Sequence, residues 1–304
     1  MKILYLVHAD PKDEFSGTPI ITQQYIDLAI KKGFEVCLLT PNSKKLNNFN
    51  QLVKKYQKFT HYYWPLSKDN NQLSFYKENY IDNSKNISIP FVPDIIHIID
   101  LVNFETSILK ELKKFNVPII RHVWNFEDLC YFVQPIYRFP DKSFCKAPLN
   151  IDTCSKCVAT NIFKNQKKTI YQKLKYLFID YEKKNYILAK SEISNRNKLF
   201  KFQFNSIINH LIFPSESFAK YFLSHEKLNT PISIINHGIK LPKKEINKKS
   251  VDDRSIKILY TGGIRKEKGW DIIQSVFKRL FDEGVKNIKL RIYGDRQQAA
   301  KSIL

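Results

Sequence analysis

Four cysteines fall at positions 130, 145, 154 and 157, a C-x14-C-x8-C-x2-C pattern. Four thiolates that include a C-x2-C pair can close a tetrahedral zinc site. A structural zinc held by Cys130, Cys145, Cys154 and Cys157 would clamp the stretch 126–160, which reads as a long loop without periodic structure. Buried free thiols or an adventitious disulfide also fit the spacing. The fifth cysteine, Cys37, lies in an apolar run and reads as core. A second constellation is Gly262-Gly263-Ile264-Arg265-Lys266-Glu267-Lys268-Gly269. Glycines there let the backbone approach a bulky anion, and a following helix would offer free N–H groups and the positive end of its dipole. Arg265 and Lys268 add charge where a diphosphate could lie. Such a cradle suits group transfer from a nucleotide diphosphate, because negative charge grows on the departing diphosphate. An ordinary strand-to-helix loop with surface Lys and Arg has the same composition.

These residues need elements to hold them. Residues 2–7 (KILYLV) are a strand-length apolar run, 8–18 a polar loop with Pro11, Ser16 and Gly17, and Ile21, Tyr25, Leu28 and Ala29 repeat at helical spacing. Gly33 ends that helix before a strand at 35–39. The same alternation recurs: strand 94–99 (DIIHII), helix 106–114, strand 117–120 (VPII), strand 206–213, helix near 217–223, strand 232–235. Repeated strand–helix–strand units with near-continuous apolar strands predict an α/β protein with a parallel sheet buried on both faces. Residues 242–255 are charged and aperiodic and read as a linker. A fresh strand (257–260), the glycine loop, a helix (270–282) and a strand (287–293) follow, ending in Gly294-Asp295. The expected domains are thus 1–241, a linker at 242–255, and 256–304 as the beginning of a second Rossmann-like domain. Two strands and one helix do not cover their own faces, so that second domain reads as incomplete.

Composition bounds the partners. The 304 residues are 43% hydrophobic and 13% aromatic, which excludes a disordered chain. Fifty Lys and Arg against 29 acids give a formal charge of +21, which attracts anions without choosing among them. No nucleic-acid motif is present, and the lysines are scattered rather than set in a stripe with stacking aromatics, so nucleic acid is not an expected partner. Residues 164–201 hold eleven Lys or Arg and three acids, with Ile170, Leu174, Leu177 and Tyr181 at helical spacing. Such a basic amphipathic region can lie on an anionic membrane surface or pack its apolar stripe on the sheet. The N-terminal apolar run is too short for a secretory signal and no stretch approaches a membrane span. The expected place is the cytoplasm, with the inner face of the membrane as a site of peripheral contact.

Strand, GG, x4, KG, W-D and apolar helix, then a strand ending in Gly, read here as ILYTGGIRKEKGWDIIQSVFKRL and IKLRIYGD. This resembles the opening of the donor domain of the GT-B-fold family 4 (group 1) glycosyltransferases. KILYLV, Ser16-Gly17-Thr18, KKGFEVCLLT, PDIIHIID, VPIIRHVWNFEDLC, FPSESFAKYF and NHGI agree in order, so the resemblance spans the chain. It implies two Rossmann-like domains and a transferase that moves a sugar from a nucleotide-sugar donor to a glycan or lipid-linked acceptor. It also implies retention of configuration, cell-surface polysaccharide assembly as the setting, and no cofactor for catalysis. Gly17, Gly262, Gly263, Arg265 and Lys268 are the implied donor-phosphate contacts. The family often has Arg directly after the first glycine of the donor loop; here Gly263 stands there, and Arg265 or Lys268 must supply the charge. The family's His-Asp pair after the VPII strand falls on Trp124-Asn125 when counted back from Cys130, which leaves His122, Glu127 and Asp128 as the catalytic candidates. His122 could equally serve as a core hydrogen-bonder, and the two acids as capping residues. The family's paired glutamates lie beyond Leu304. The expectation is a C-terminally truncated chain, inactive by itself, or alternatively a non-catalytic module that binds an anionic surface or a partner polypeptide.

Overall fold

The computed structural model describes residues 1–13, 16–42, 53–55, 59–65, 89–102, 104, 107–132, 145–165, 181–238, 256–264 and 268–293. The chain divides into two compact units, Met1–Gly238 and Ile239–Leu304.

The first unit is built on an eight-stranded sheet. Its strands are β1 (Lys2–Leu6), β2 (Glu35–Asn42), β3 (Val53–Lys55), β4 (Thr60–Pro65), β5 (Ile95–Ile98), β6 (Ile119–His122), β7 (His210–Phe213) and β8 (Ile232–Ile234), in the order β3-β4-β2-β1-β5-β6-β7-β8. All neighbours run parallel except β3, which pairs antiparallel with β4. The sequence explains β1 directly. Leu4 and Leu6 point into one core cluster and Ile3 and Tyr5 into the other, so no position is left for solvent except the first. That double burial is what an interior parallel strand requires.

Helix α1 (Gly17–Lys31) follows β1 and packs Ile26 and Ala29 on the Ile3–Tyr5 face. It ends in a Schellman motif: Phe34 N donates to Ala29 O, Gly33 N donates to Ile30 O, and Gly33 sits at φ 78°. Helix α2 (Ser107–Lys114) follows β5 and buries Ile108, Leu109 and Leu112 on the opposite, Leu4–Leu6 face. From β1 the chain therefore winds outward to β2 and β4, then returns beside β1 as β5 and winds the other way. The strand order reverses between β1 and β5, which makes their carboxyl ends the switch point of a doubly wound sheet.

The described residues of this unit hold three further helices: α3 (Ile151–Asn165), α4 (Tyr181–Ser206) and α5 (Glu216–His225). Ser215 caps α5, its Oγ accepting from Phe218 N at 3.2 Å. Phe200 and Phe204 of α4 pack with Phe213, Phe218 and Phe222. The second unit holds β9 (Ile256–Thr261), α6 (Trp270–Asp282) and β10 (Ile288–Tyr293), the two strands parallel and in register from Ile256 with Ile288 to Thr261 with Tyr293.

Two expectations are corrected. The stretch 126–160 is not loop throughout: Ile151–Asn165 is helical, because Val158 and Ala159 fall on one face and pack on Ala189 and Ile193 of α4. Residues 206–213 are not one strand either. Helix α4 runs to Ser206, since Phe200, Phe204 and Ile207 continue its buried stripe, and β7 begins only at His210. The strand β4, with Trp64 and His61 fully buried, was not legible as such. The expected helical residues Ile170, Leu174 and Leu177 lie outside the described residues, as do Gly294 and Asp295.

Candidate functional site

Strand β6 ends with two consecutive polar residues that point to opposite faces of the sheet. Arg121 enters the face covered by α4. Its Nη2 donates to Glu127 Oε1 at 2.7 Å and to both Asp128 oxygens at 2.8 Å, and its Nη1 donates to Gln203 Oε1 at 2.8 Å. Gln203 Nε2 returns a bond to Asp128 Oδ1 at 3.1 Å, and the guanidinium stacks on Phe204, 5.0 Å from the ring centre. Leu101 N donates to both Glu127 oxygens, and the Arg196 guanidinium donates to the Glu127 carbonyl. Glu127 and Asp128 are thus gathered around one guanidinium, with side chains only 11% and 6% exposed. Burial pushes the Glu127 carboxyl above its ordinary range; Arg121 opposes that, while Asp128 and Asp100 reinforce it.

His122 enters the face covered by α1. The register sets Tyr5 beside His97 and His97 beside Ile120, so His122, two residues on, shares that face. The result is a continuous ring stack. His97 and His122 lie 4.8 Å apart at 21°, Tyr25 of α1 stacks on His122 at 5.6 Å, and Trp124 meets His122 edge-on at 4.4 Å. His237, after β8, meets Trp124 edge-on at 4.6 Å and is exposed. Burial, then the imidazoles of His97 and His237, push His122 down to about 2; burial pushes His97 down to about 4. Both rings are therefore neutral near pH 7, each with one donor and one acceptor nitrogen. Yet His97 Nε2, His122 Nδ1 and Trp124 Nε1 are buried with no hydrogen-bond partner. Three orphan nitrogens in one contiguous stack are unusual, since buried polar atoms are nearly always paired.

Of the other expected contacts, Gly17 is the first residue of α1, and a Cβ there would meet nothing within 4 Å, so packing does not demand the glycine. Gly262 lies at φ 147° and Gly269, the N-cap of α6, at φ 75°; both positions select glycine. Tyr260 braces the loop between them, its hydroxyl donating to Gly263 O at 2.9 Å and Lys268 O at 3.3 Å, with Trp270 against its ring. Lys268 is exposed, and Arg265 lies outside the described residues.

None of the five cysteines is in a disulfide, and Cys154 and Cys157 lie one turn apart on α3. Burial pushes the Cys154 thiol up to about 11; Arg196 works against this, and Cys130 and Cys145 add to it. Those neighbours place three of the four thiols in one region. Among the described residues, however, no group of three or more His, Cys, Asp or Glu is arranged to hold a metal ion.

His97, Tyr25, Trp124 and His237 join the site from outside the sequence-based candidates. Their signal was parity: His97 in IIHI and His122 in IIRH are interior positions of adjacent strands. Arg121 was also signalled, as a charge inside an apolar strand with two acids six and seven residues on.

No protein-family model matches the sequence, and no curated protein matches it. In structure the chain is similar to sucrose-phosphate synthase from Thermosynechococcus elongatus, at 10% identity and a TM-score of 0.46, over 98% of this chain and 72% of that one. It is also similar to OtsA in its apo form, at 13% identity and a TM-score of 0.46, over 96% of this chain. The alignment spans 64% of the OtsA chain, under two thirds of its length. A likeness at that level leaves the chemistry to the residues themselves.

Proposed function

We propose that this chain belongs to a GT-B-type glycosyltransferase that moves a sugar from a nucleotide-sugar donor to a hydroxyl of a glycan or lipid-linked acceptor, with retention, in cell-surface polysaccharide assembly. The observation that carries the reading is the recurrence of a strand–loop–helix opening in both units, the second of them glycine-dependent. One opens the doubly wound sheet at β1–α1; the other is β9–α6, where Gly262 and Gly269 hold backbone conformations that other residues resist. Lys268 and Arg265 supply the cations for the diphosphate there. His122, neutral and with an unpaired nitrogen, offers a hydrogen bond to a sugar hydroxyl. Glu127 and Asp128 hold the β6 loop through Arg121 rather than meeting substrate.

No described helix is long and apolar enough to cross a membrane. Exposed Ile187, Leu188 and Phe202 on the lysine-bearing α4 suit peripheral contact with the inner, anionic face of a membrane, where a lipid-linked acceptor would lie. The test is to incubate the protein with UDP-glucose, UDP-galactose, UDP-N-acetylglucosamine and GDP-mannose. Release of nucleoside diphosphate is followed, and binding of UDP and GDP is measured by calorimetry. Binding is expected; the absence of both binding and release across the panel sinks the reading.

A second reading, a non-catalytic binding module, is favoured by one observation: the carboxylates nearest His122 in sequence are committed to Arg121. Nucleotide binding without release from any donor would select it.

A further inference from the structure

The ring stack on the His122 face can select more of a ligand than one hydroxyl. It runs from the core to solvent. Tyr5 lies 5.2 Å from His97, His97 4.8 Å from His122, His122 4.4 Å from Trp124, and Trp124 4.6 Å from His237. Tyr25 of α1 flanks three of these rings, 5.8 Å from His97, 5.6 Å from His122 and 6.1 Å from Trp124. Tyr5 and His122 are buried, Trp124 is half-buried and His237 is exposed. The walls are aromatic, and three polar atoms within them have no partner: His97 Nε2, His122 Nδ1 and Trp124 Nε1.

These atoms make unequal demands. An indole N–H can only donate, whereas a neutral imidazole has one donor and one acceptor nitrogen. A ligand that completes the stack must therefore bring an acceptor to Trp124. A carbonyl oxygen serves better than a hydroxyl, because a hydroxyl also brings a hydrogen that needs an acceptor of its own. Anionic acceptors are turned elsewhere. Among the described residues, the titratable groups that act on His122 are the imidazoles of His97 and His237, and none is a carboxylate. Glu127 and Asp128 are held by Arg121 on the opposite face. The rings also offer apolar surface on which a methyl group gains dispersion contacts. A carbonyl beside a methyl group, in a neutral unit carried by a sugar, describes an acetamido group.

We infer that the Trp124–His122 stack selects an N-acetylated sugar, Trp124 Nε1 donating to the acetamido carbonyl while the methyl group lies against the rings. His122 then meets the hydroxyl beside the acetamido group. That the ligand is a sugar rests on the glycosyl-transfer reading; that it carries an acetamido group rests on the stack. Because Trp124 Nε1 is sealed, His237, the exposed ring beside it, turns aside as the group enters.

The experiment uses the full chain with its three tryptophans labelled with nitrogen-15. Trp124→Phe identifies the Trp124 indole resonance, and unmoved Trp64 and Trp270 resonances show that the variant keeps the fold. His237→Ala, which removes the ring against Trp124, gives the same identification should Trp124→Phe fail to fold. The protein is titrated with methyl N-acetylglucosaminide and methyl N-acetylgalactosaminide, with methyl glucoside and methyl galactoside, and separately with UDP. At least one N-acetylated glycoside is expected to move the Trp124 N–H resonance downfield. It should bind at least about tenfold more tightly than its parent hexoside, the worth of roughly one hydrogen bond. Trp124→Phe is expected to erase that preference. Equal binding of the N-acetylated and parent glycosides overturns the acetamido assignment. A shift with UDP alone makes the stack a nucleotide contact, which overturns the inference and leaves the transferase reading standing. Preference for the N-acetylated glycoside in a protein that binds no nucleotide sustains the inference and sinks the transferase reading. If no probe moves the resonance, the inference is overturned.

Discussion

Arg121 and His122 are neighbours in one strand and almost equally sealed from solvent, at 1% and 2% exposure, yet their surroundings are opposites. The Arg121 face gathers two carboxylates, an amide and a phenyl ring around one guanidinium. The His122 face gathers three imidazoles, a phenol and an indole, and leaves three of their nitrogens without partners. Burying an ion is tolerable only when it is paired, so the first face had to be completed inside the chain. A neutral imidazole costs less to leave unpaired, and an unpaired one keeps a hydrogen bond for a ligand. The Arg121 face pairs its charges internally and leaves only Arg121 Nε of that guanidinium unpartnered; the His122 face is unfinished in the way a binding site is.

The largest expected effect breaks the Arg121 face. Arg121→Met removes the guanidinium but leaves Glu127 and Asp128 buried, and a buried charge deprived of its partner costs about 3–5 kcal/mol. Urea unfolding should show that loss. A loss under about 1 kcal/mol would mean that the two carboxylates reach water easily, and the contrast between the faces would collapse.

The second effect is smaller and depends on pH. His97 has a folded-state pKa near 4 against an ordinary value of 6.5, so its contribution to stability is present above pH 6.5. It is lost as the pH falls from there through 4, because the unfolded chain binds the proton first. Between pH 7.5 and 5 this one residue should cost the wild type about 2 kcal/mol. His97→Phe fills the same space without titrating and should flatten the stability–pH curve by that amount. Equal slopes for the two proteins would mean that the ring is not held neutral.

The legible and illegible parts of the molecule divide along the same line. Strand β1 could be read because every residue after Lys2 is apolar and both faces of that strand are covered. Helix α1 could be read from its apolar spacing and from Gly33. Strand β4 (THYYWP) could not, because its burial depends on β2 and β3, which are supplied from elsewhere in the chain. The contacts of Glu127 and Asp128 were hidden for a related reason. Their positions after an interior strand suit substrate contact, and only the packing of α4, which brings Gln203 and Phe204 to Arg121, shows where the carboxylates turn. His8 and Asp100 are 92 residues apart and meet only because β5 returns to lie beside β1.

The smallest effect on stability should sharpen the comparison most. Trp124 lies between His122 and His237, with its Nε1 buried and unpartnered. Trp124→Phe removes some packing but also removes a donor that the folded chain leaves unsatisfied, and these contributions oppose each other. The net change should stay within about 1 kcal/mol. A residue of the Arg121 face could not be truncated so cheaply, because removing the guanidinium or a carboxylate there strands a buried partner. If the indole N–H is kept for a ligand, the same variant should weaken nucleotide-sugar binding about tenfold, the worth of roughly one hydrogen bond. Calorimetry and urea unfolding on the same preparation separate the outcomes. Lost affinity at unchanged stability places function on the His122 face. Lost stability with unchanged affinity would make the stack core packing and move the substrate contacts elsewhere along the carboxyl ends of the strands.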